Sequence, residues 1–182
     1  MDPGTIADAA GLRERAIDSY RYLDFASRQI IKAWVGREAL QKRAIPWTPM
    51  TKPLSDCTVA LVTSAGVARL DDLPFDQEGE RRNPWWGDPS YRRIPLGTTE
   101  GQVKLYHLHI DTRFGQEDLD VVLPMRRLVE LAESGVVGRA ADMHYSIMGY
   151  QLRPAVLEGE TAPAIAREMK SRGVDVAALV PS

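Results

Sequence analysis

The sequence has one cysteine, no long apolar run and almost no net charge, and each of these scarcities excludes a class of protein. A lone thiol, Cys57, cannot build an internal disulfide framework and fits a reducing compartment. No apolar run approaches the roughly 18–20 residues of a membrane-spanning helix. The start, Met1-Asp2-Pro3-Gly4, has no basic segment followed by an apolar one, so no export signal is predicted. We therefore predict a cytoplasmic protein.

The charge balance and the length of the chain indicate which partners and how many domains to expect. The 182 residues carry 23 basic and 25 acidic side chains, a net charge of −2. This balance gives no attraction to nucleic acid or to an anionic membrane, so small molecules or other proteins are the expected partners. With 44% hydrophobic residues, the chain can fill one core, and one domain preceded by an arm is expected.

The first 45 residues predict a helical arm. Apolar residues recur at helical spacing, which predicts one long amphipathic helix or a broken pair of helices that ends near Gly36. Prolines then predict an extended connector over 45–54. The apolar stripe either packs on its own domain or lies across a partner subunit. Its members are Leu12, Ala16, Tyr20, Leu23, Ala26 or Ser27, Ile30, Ile31 and Trp34.

Residues 46–182 predict an α/β domain with a parallel or mostly parallel sheet and flanking helices. The unalternating apolar run 57–64 indicates a central strand buried on both faces, and 103–110 indicates a second strand. Pro124 and Gly135 bound a predicted helix, as expected for proline just inside a helix start and glycine just past its end. The arm is thus assigned to 1–45 and the domain to 46–182.

The last third predicts a helix, a glycine and a buried strand in succession. Thr161 can cap the helix, Pro163 lies in its first turn and Gly173 ends it, while Ile165, Ala166 and Met169 form its apolar stripe. An apolar strand over 174–180 follows. This succession is typical of a parallel sheet, in which ligands bind at the carboxyl ends of the strands.

A polar insert over 71–101 has little predicted regular structure. It contains the pair Trp85-Trp86. Loops of this length within a domain are commonly lids or interaction surfaces, so we expect one of these roles here.

Two histidines and a carboxylate alternate in the second predicted strand. On a strand, His107, His109 and Asp111 would all point to one face. They could form a metal or proton-transfer site, or a hydrogen-bonded histidine pair that orients a loop. We predict no metal because a third firm ligand is missing.

Further candidates follow along the chain. His144 could meet the first pair of histidines across a cleft, but the residues around Ser146 do not form a nucleophile elbow. Asp118 and Asp120 serve either the site or a capping role. Cys57 opens a buried strand, where an inert thiol is usual.

Seven segments of this sequence form a pattern when they are taken together in order. They are 46–49, 59–67, 88–92, His107-x-His109, 118–122, Arg127-Leu128 and 144–149. In combination they resemble the selenoprotein B-type subunits of the glycine, sarcosine, betaine and D-proline reductases. The likeness covers about residues 45 to 182. Asp120 departs from the pattern, in which asparagine is expected.

The resemblance implies a subunit of a multi-subunit complex that reductively cleaves a C–N bond of a small amino acid or amine, with a dithiol as reductant. It implies a pyruvoyl group on a partner subunit and no cofactor on this chain. The attacking selenocysteine or cysteine is expected just after Ser182, as if the sequence were truncated there, so these residues alone are expected to be inactive. The resemblance would leave substrate-binding or supporting roles to His107, His109, Asp111, Asp118, Asp120, His144 and Ser146.

Two other functions stay open. The chain could be a non-catalytic binding or scaffolding module that uses the helical arm and the Trp85-Trp86 insert as contact surfaces. It could also be a non-redox enzyme that uses His107, His109 and His144.

Overall fold

The computed structural model describes residues 24–39, 48–83 and 85–182. These residues fall into two units that divide between Pro49 and Met50. Among the described residues, the first unit contributes one helix, α1 (Phe25–Ala39). The second contains the remaining elements, in the order β1 (Thr58–Thr63), β2 (Val67–Arg69), α2 (Gln77–Arg82), β3 (Tyr91–Pro95), β4 (Val103–Leu105), α3 (Thr112–Glu117), α4 (Met125–Glu133), β5 (Arg139–Ala140), β6 (Met143–Ile147), α5 (Ala162–Ser171) and β7 (Val176–Val180).

Helix α1 spans Phe25–Ala39, which confirms a helix in this part of the arm. It continues past Gly36, near which the helix was predicted to end, as far as Ala39. A glycine inside a helix costs only about 0.5–1 kcal/mol relative to alanine, and Gly36 does not adopt a positive φ that would turn the chain. The apolar positions up to Leu23 and connector residues 45–47 lie outside the described residues.

The main sheet is mixed and mostly parallel, as predicted. Strand β1 pairs in parallel with β7 on one side and with β5 and then β6 on the other, while β3 adds an antiparallel strand next to β6. Strands β2 and β4 form a separate antiparallel pair. Strand β1 is therefore central, and most of its side chains are buried.

Apolar residues cover both faces of β1. On one face, Val59 and Leu61 belong to the largest core cluster, which includes residues of α4. On the other, Ala60 packs in a cluster with Ile165 and Met169 of α5. Side chains buried on both faces of a parallel strand are the reason that its sequence does not alternate.

The last strand differs from its prediction. Strand β7 is not buried: its side chains alternate between half-buried and exposed, and Leu179 is 76% exposed. Within the described residues it pairs only with β1. An apolar sequence alone cannot show whether a strand has neighbours on both sides, because the same residues suit either position.

Helix α5 also begins differently. Residues 155–161 are already helical and include a π turn at Leu157–Thr161, so Thr161 does not cap the helix. Its hydroxyl instead donates to the carbonyl of Pro89 at 2.6 Å. Ile165 and Met169 are buried as predicted, whereas Ala166 is exposed. Helices α4 and α5 end just before Gly135 and Gly173, as predicted, and both glycines have a positive φ.

The insert over 71–101 is more regular than predicted, since it contains α2 and the sheet strand β3. The buried Arg92 holds it together. Its Nε donates to the carbonyl of Leu73 at 2.6 Å, and its guanidinium stacks 4.1 Å from the ring centre of Phe75. The sequence did not predict these two elements because both are rich in polar residues. A short helix such as α2 and an edge strand such as β3 bury few side chains, so neither needs a strong apolar pattern.

Candidate functional site at the carboxyl edge of the sheet

The parallel strands β1, β6 and β7 reach the same edge of the sheet at their carboxyl ends. Ser64 follows β1, and its N–H donates to the carbonyl of Val180 at 3.1 Å. The N–H of Ser182 donates to the Ser64 hydroxyl at 2.8 Å. Gly149 lies close to the same serine. Ligands of open α/β sheets bind at this edge, so these residues define the candidate site.

The loop after β4 brings His107 to this edge, and two glycines make the approach possible. A Cβ on Gly149 would lie 2.9 Å from the Ser64 carbonyl oxygen and 3.0 Å from His107 Nε2. Gly66 has a φ of +64°, and a Cβ there would lie 3.2 Å from the His107 main-chain nitrogen. Any larger side chain at Gly149 would separate the imidazole from the end of β1.

The predicted strand over 103–110 is wrong beyond Leu105. Its partner β2 begins at Val67, which pairs with Leu105, so the ladder stops there. His107 and His109 lie in the loop that follows, and Asp111 caps α3. His107, His109 and Asp111 therefore do not share one strand face, as alternation would require.

The buried His107 is fixed as a neutral hydrogen-bond donor. Its Nδ1 accepts the main-chain N–H of His109 at 3.1 Å. Burial, and to a lesser degree the neighbouring His109, lowers the pKa of His107. A neutral imidazole whose Nδ1 accepts a hydrogen bond carries its proton on Nε2, the atom next to Gly149. This geometry agrees with the interpretation that the two histidines form a hydrogen-bonded pair that orients the loop. The donor is the main-chain N–H of His109, and the acceptor is the His107 ring.

His109 has a different environment. Its side chain is 51% exposed, and Nε2 lies 2.8 Å from Oε1 of Glu80, whose side chain is only 3% exposed. The ring lies 4.3 Å from the ring of Tyr150 and meets the ring of His107 edge-on at 5.9 Å. Helix α2 of the insert thus supplies a buried carboxylate to a histidine at the carboxyl edge.

Asp111 serves α3. Its carboxylate accepts the main-chain N–H of Arg113 and forms an ion pair with the guanidinium at 2.7 Å. The hydrogen bonds from Arg113 lower the pKa of Asp111 to about 2. The side chain is well exposed, so it is a solvated cap whose contacts do not reach the histidines.

His144 and Ser146 lie inside the sheet. Strand β1 pairs first with β5 and then with β6, and its register differs by two residues between these neighbours. Between the two paired segments, His144 Nδ1 accepts the N–H of Leu61 at 3.0 Å. The Ser146 hydroxyl accepts the N–H of Val67 at 2.7 Å. Both side chains are fully buried.

The Nδ1 atom of His144 and the hydroxyl of Ser146 thus replace main-chain acceptors. The other ring nitrogen of His144, Nε2, is buried with no hydrogen-bond partner among the described residues. Burial lowers the pKa of His144 to about 4. In the described part of the chain, no hydrogen bond or ring contact joins His144 to His107 or His109. The predicted meeting of His144 with this pair across a cleft is therefore wrong.

Asp118 and Asp120 belong to a charged cluster before α4. Asp118 accepts the N–H of Asp120, and Asp120 accepts the N–H of Arg126. The Arg126 guanidinium contacts both carboxylates and Glu100. Both aspartates thus accept nearby main-chain N–H groups, as the capping interpretation predicts. Within the residues that the structure describes, none of their contacts is with a residue of the carboxyl edge.

Four residues at this edge were not among the predicted site residues. They are Ser64, Glu80, Gly149 and Tyr150. The position of Ser64 directly after the central strand was a usable signal, because strand ends form such sites. Nothing in the charged run around Glu80 distinguishes it from its neighbours.

The described residues contain no group of three or more histidine, cysteine, aspartate or glutamate side chains that could hold a metal ion. No helix among them has the length and apolar character needed to cross a membrane. Cys57 is 2% exposed, and its Sγ donates to the carbonyl of Pro53 at 3.2 Å. It is a structural thiol with no access to the carboxyl edge.

Comparisons with known proteins agree with the resemblance. The family model of the glycine/sarcosine/betaine reductase selenoprotein B (GRDB) matches residues 38–182. The chain is 34% identical to the D-proline reductase subunit gamma of Acetoanaerobium sticklandii, over 73% of its length and 52% of the relative's. It is 30% identical to the glycine reductase complex component B subunit gamma of Carboxydothermus hydrogenoformans, over 74% of its length and 30% of the relative's.

A third relative is the betaine reductase complex component B subunit beta of Peptoclostridium acidaminophilum, which is 29% identical over 68% of this chain and 28% of its own length. The chain thus spans about half the length of the first relative and less than a third of the other two. No solved structure matches it. Because the family model covers most of the sequence, this chain belongs to the glycine/sarcosine/betaine reductase selenoprotein B family.

Proposed function

We propose that this chain is part of a subunit of a reductase complex that cleaves a C–N bond of a small amino acid or N-methylated amine, with a dithiol as reductant. The observation that carries the proposal is the position of His107 and His109 at the carboxyl ends of β1 and β6, in a member of this family. Small polar ligands bind at such edges, where convergent polar groups orient them.

These 182 residues supply the scaffold and the lining of the site rather than the redox nucleophile. Thiol chemistry needs an accessible thiolate, and the one cysteine in the sequence, Cys57, is buried in the core. We propose that the attacking selenocysteine or cysteine lies outside these residues and, as the family resemblance implies, that a partner subunit carries a pyruvoyl group. We expect no amine-dependent reduction from these residues alone.

The test compares the isolated chain with the complex that co-purifies with it from its own organism. Each is assayed with glycine, sarcosine, betaine and D-proline, both with and without dithiothreitol, and dithiol oxidation and C–N cleavage are measured. Turnover by the complex and none by the chain supports the proposal. Turnover by the isolated chain without a dithiol would instead favour a non-redox enzyme.

A scaffolding module is the second candidate. Leu73 and Trp85 of the insert are 80% and 62% exposed, and exposed apolar residues of this size are common at protein contacts. A stable co-purifying complex that lacks turnover with all four amines would favour this function over the first.

A further inference from the structure

Glu80 and His109 form a carboxylate–histidine pair that the family assignment does not explain. Glu80 Oε1 lies 2.8 Å from His109 Nε2, and the carboxylate is almost completely buried. Its second oxygen, Oε2, is buried with no hydrogen-bond partner among the described residues. A buried carboxylate without other partners is costly, so this pair fixes the histidine ring more firmly than a surface ion pair would.

The remaining contacts leave one ring nitrogen of His109 for chemistry. Nε2 faces Glu80, and one face of the ring packs against Tyr150. Nδ1 makes no hydrogen bond within the described residues and is not among the buried unpaired atoms. Half of the side chain is open to solvent. Such an arrangement, with a carboxylate on one nitrogen and the other nitrogen open, is the geometry in which histidine transfers protons.

The other two histidines do not have this geometry. In both His107 and His144 the Nδ1 atom already accepts a main-chain N–H, and both rings are buried. Each can donate a hydrogen bond from Nε2 but has no free lone pair for a proton. Among the three histidines of the sequence, His109 is thus the one equipped for proton transfer.

We infer that His109 is the catalytic proton donor to the leaving nitrogen and that Glu80 is its positioning residue; this inference rests on the proposed function. A thiolate or selenolate from outside these residues forms a bond to the α-carbon of a substrate bound as its neutral amine, and the C–N bond breaks. The electron pair of that bond goes to nitrogen, which takes the proton from His109 Nδ1 and leaves as an amine. Betaine, whose quaternary nitrogen leaves as a neutral amine without a proton, does not need this transfer. His109 becomes neutral and regains a proton from solvent through its exposed face.

The experiment uses the co-purified complex with variants of this chain. In His109→Gln, the amide can still donate to Glu80 but cannot transfer a proton. We expect kcat to fall by about 10²–10⁴-fold, the usual contribution of general acid catalysis, with KM changed much less. In His109→Ala, added imidazole should restore at least part of the lost kcat, which it could not do for a purely structural residue.

Glu80→Gln should also lower kcat, and Glu80→Asp should retain more activity than Glu80→Gln because it keeps the charge. Glu78→Gln is the matched control, since Glu78 lies on the same helix but is exposed and pairs with Arg82. We expect wild-type kcat from it. Circular dichroism of each variant monitors folding.

The outcomes separate the two proposals. An active wild-type complex with an unchanged His109→Gln variant, or with no rescue of a folded His109→Ala variant by imidazole, overturns the role of His109. An inactive wild-type complex with every amine overturns the proposed function, and with it the proton-transfer step.

Discussion

Replacement of His144 by asparagine should remove a pH dependence of stability that the wild-type protein shows between pH 7 and pH 5. His144 is fully buried, and burial lowers its pKa from the ordinary 6.5 to about 4, against a small opposing effect of Asp142. The unfolded chain therefore binds a proton in a pH range in which the folded chain does not. Stability falls as pH decreases from about 6.5 to about 4, because protonation favours the unfolded state.

The magnitude follows from these two pKa values. Proton linkage between 6.5 and about 4 makes the free energy of unfolding about 2 kcal/mol lower at pH 5 than at pH 7. In His144→Asn, the amide oxygen can accept the N–H of Leu61 but does not titrate in this range. The contribution of about 2 kcal/mol should then disappear.

Urea denaturation of both proteins at pH 7 and pH 5 measures the difference. The lowered pKa of His107 affects wild type and variant equally, so it cancels in the comparison. His144→Leu is the matched control. It should show the same pH response as His144→Asn but be less stable at pH 7 by about 1–3 kcal/mol, because the N–H of Leu61 is left unpaired.

An equal pH response in wild type and His144→Asn would refute the reasoning. It would mean that His144 is protonated in the folded protein or that water reaches it. Equal stability of the asparagine and leucine variants at pH 7 would contradict the hydrogen-bonding role of Nδ1.

Three further predictions concern other sites in the fold. Ser146→Ala should lower the free energy of unfolding by about 1–3 kcal/mol because it leaves a buried main-chain N–H unpaired, whereas the exposed Ser134→Ala should change it by about 0.5 kcal/mol or less; equal denaturation midpoints would contradict this. Gly138→Ala should be strongly destabilising in thermal denaturation, because its Cβ would lie 2.7–2.9 Å from main-chain atoms, while Gly159→Ala, with open space around it, should be neutral or stabilising. Cys57 should react with Ellman's reagent only on unfolding, since its thiol is buried; rapid labelling of folded protein would contradict its structural role.

Much of the fold follows from sequence pattern. The unalternating run around Leu61 identified the central strand, because a strand buried on both faces needs apolar residues throughout. Prolines and glycines marked α4 and α5 because their backbone preferences are local. The burial of β7 could not be predicted in this way, since it depends on what packs beside the strand.

The site was harder to predict. Alternation of His107 and His109 indicated a strand face, but the length of a strand depends on its partner, and β2 ends the ladder at Leu105. Glu80 is 29 residues from His109, so only the tertiary fold joins them. His144 and Ser146 were candidates because polar residues in a strand suggest function, yet both satisfy main-chain donors within the sheet.

The insert over 71–101 has a consequence for the construction of chimaeras between family members. It carries β3, which pairs with β6 along five residues, and also the carboxylate that holds His109. A chimaera that exchanges this segment transfers a sheet edge and a site residue together. A chimaera that exchanges only α2, with both junctions before Tyr91, would replace the residue that contacts His109. The recipient protein would keep its own edge strand.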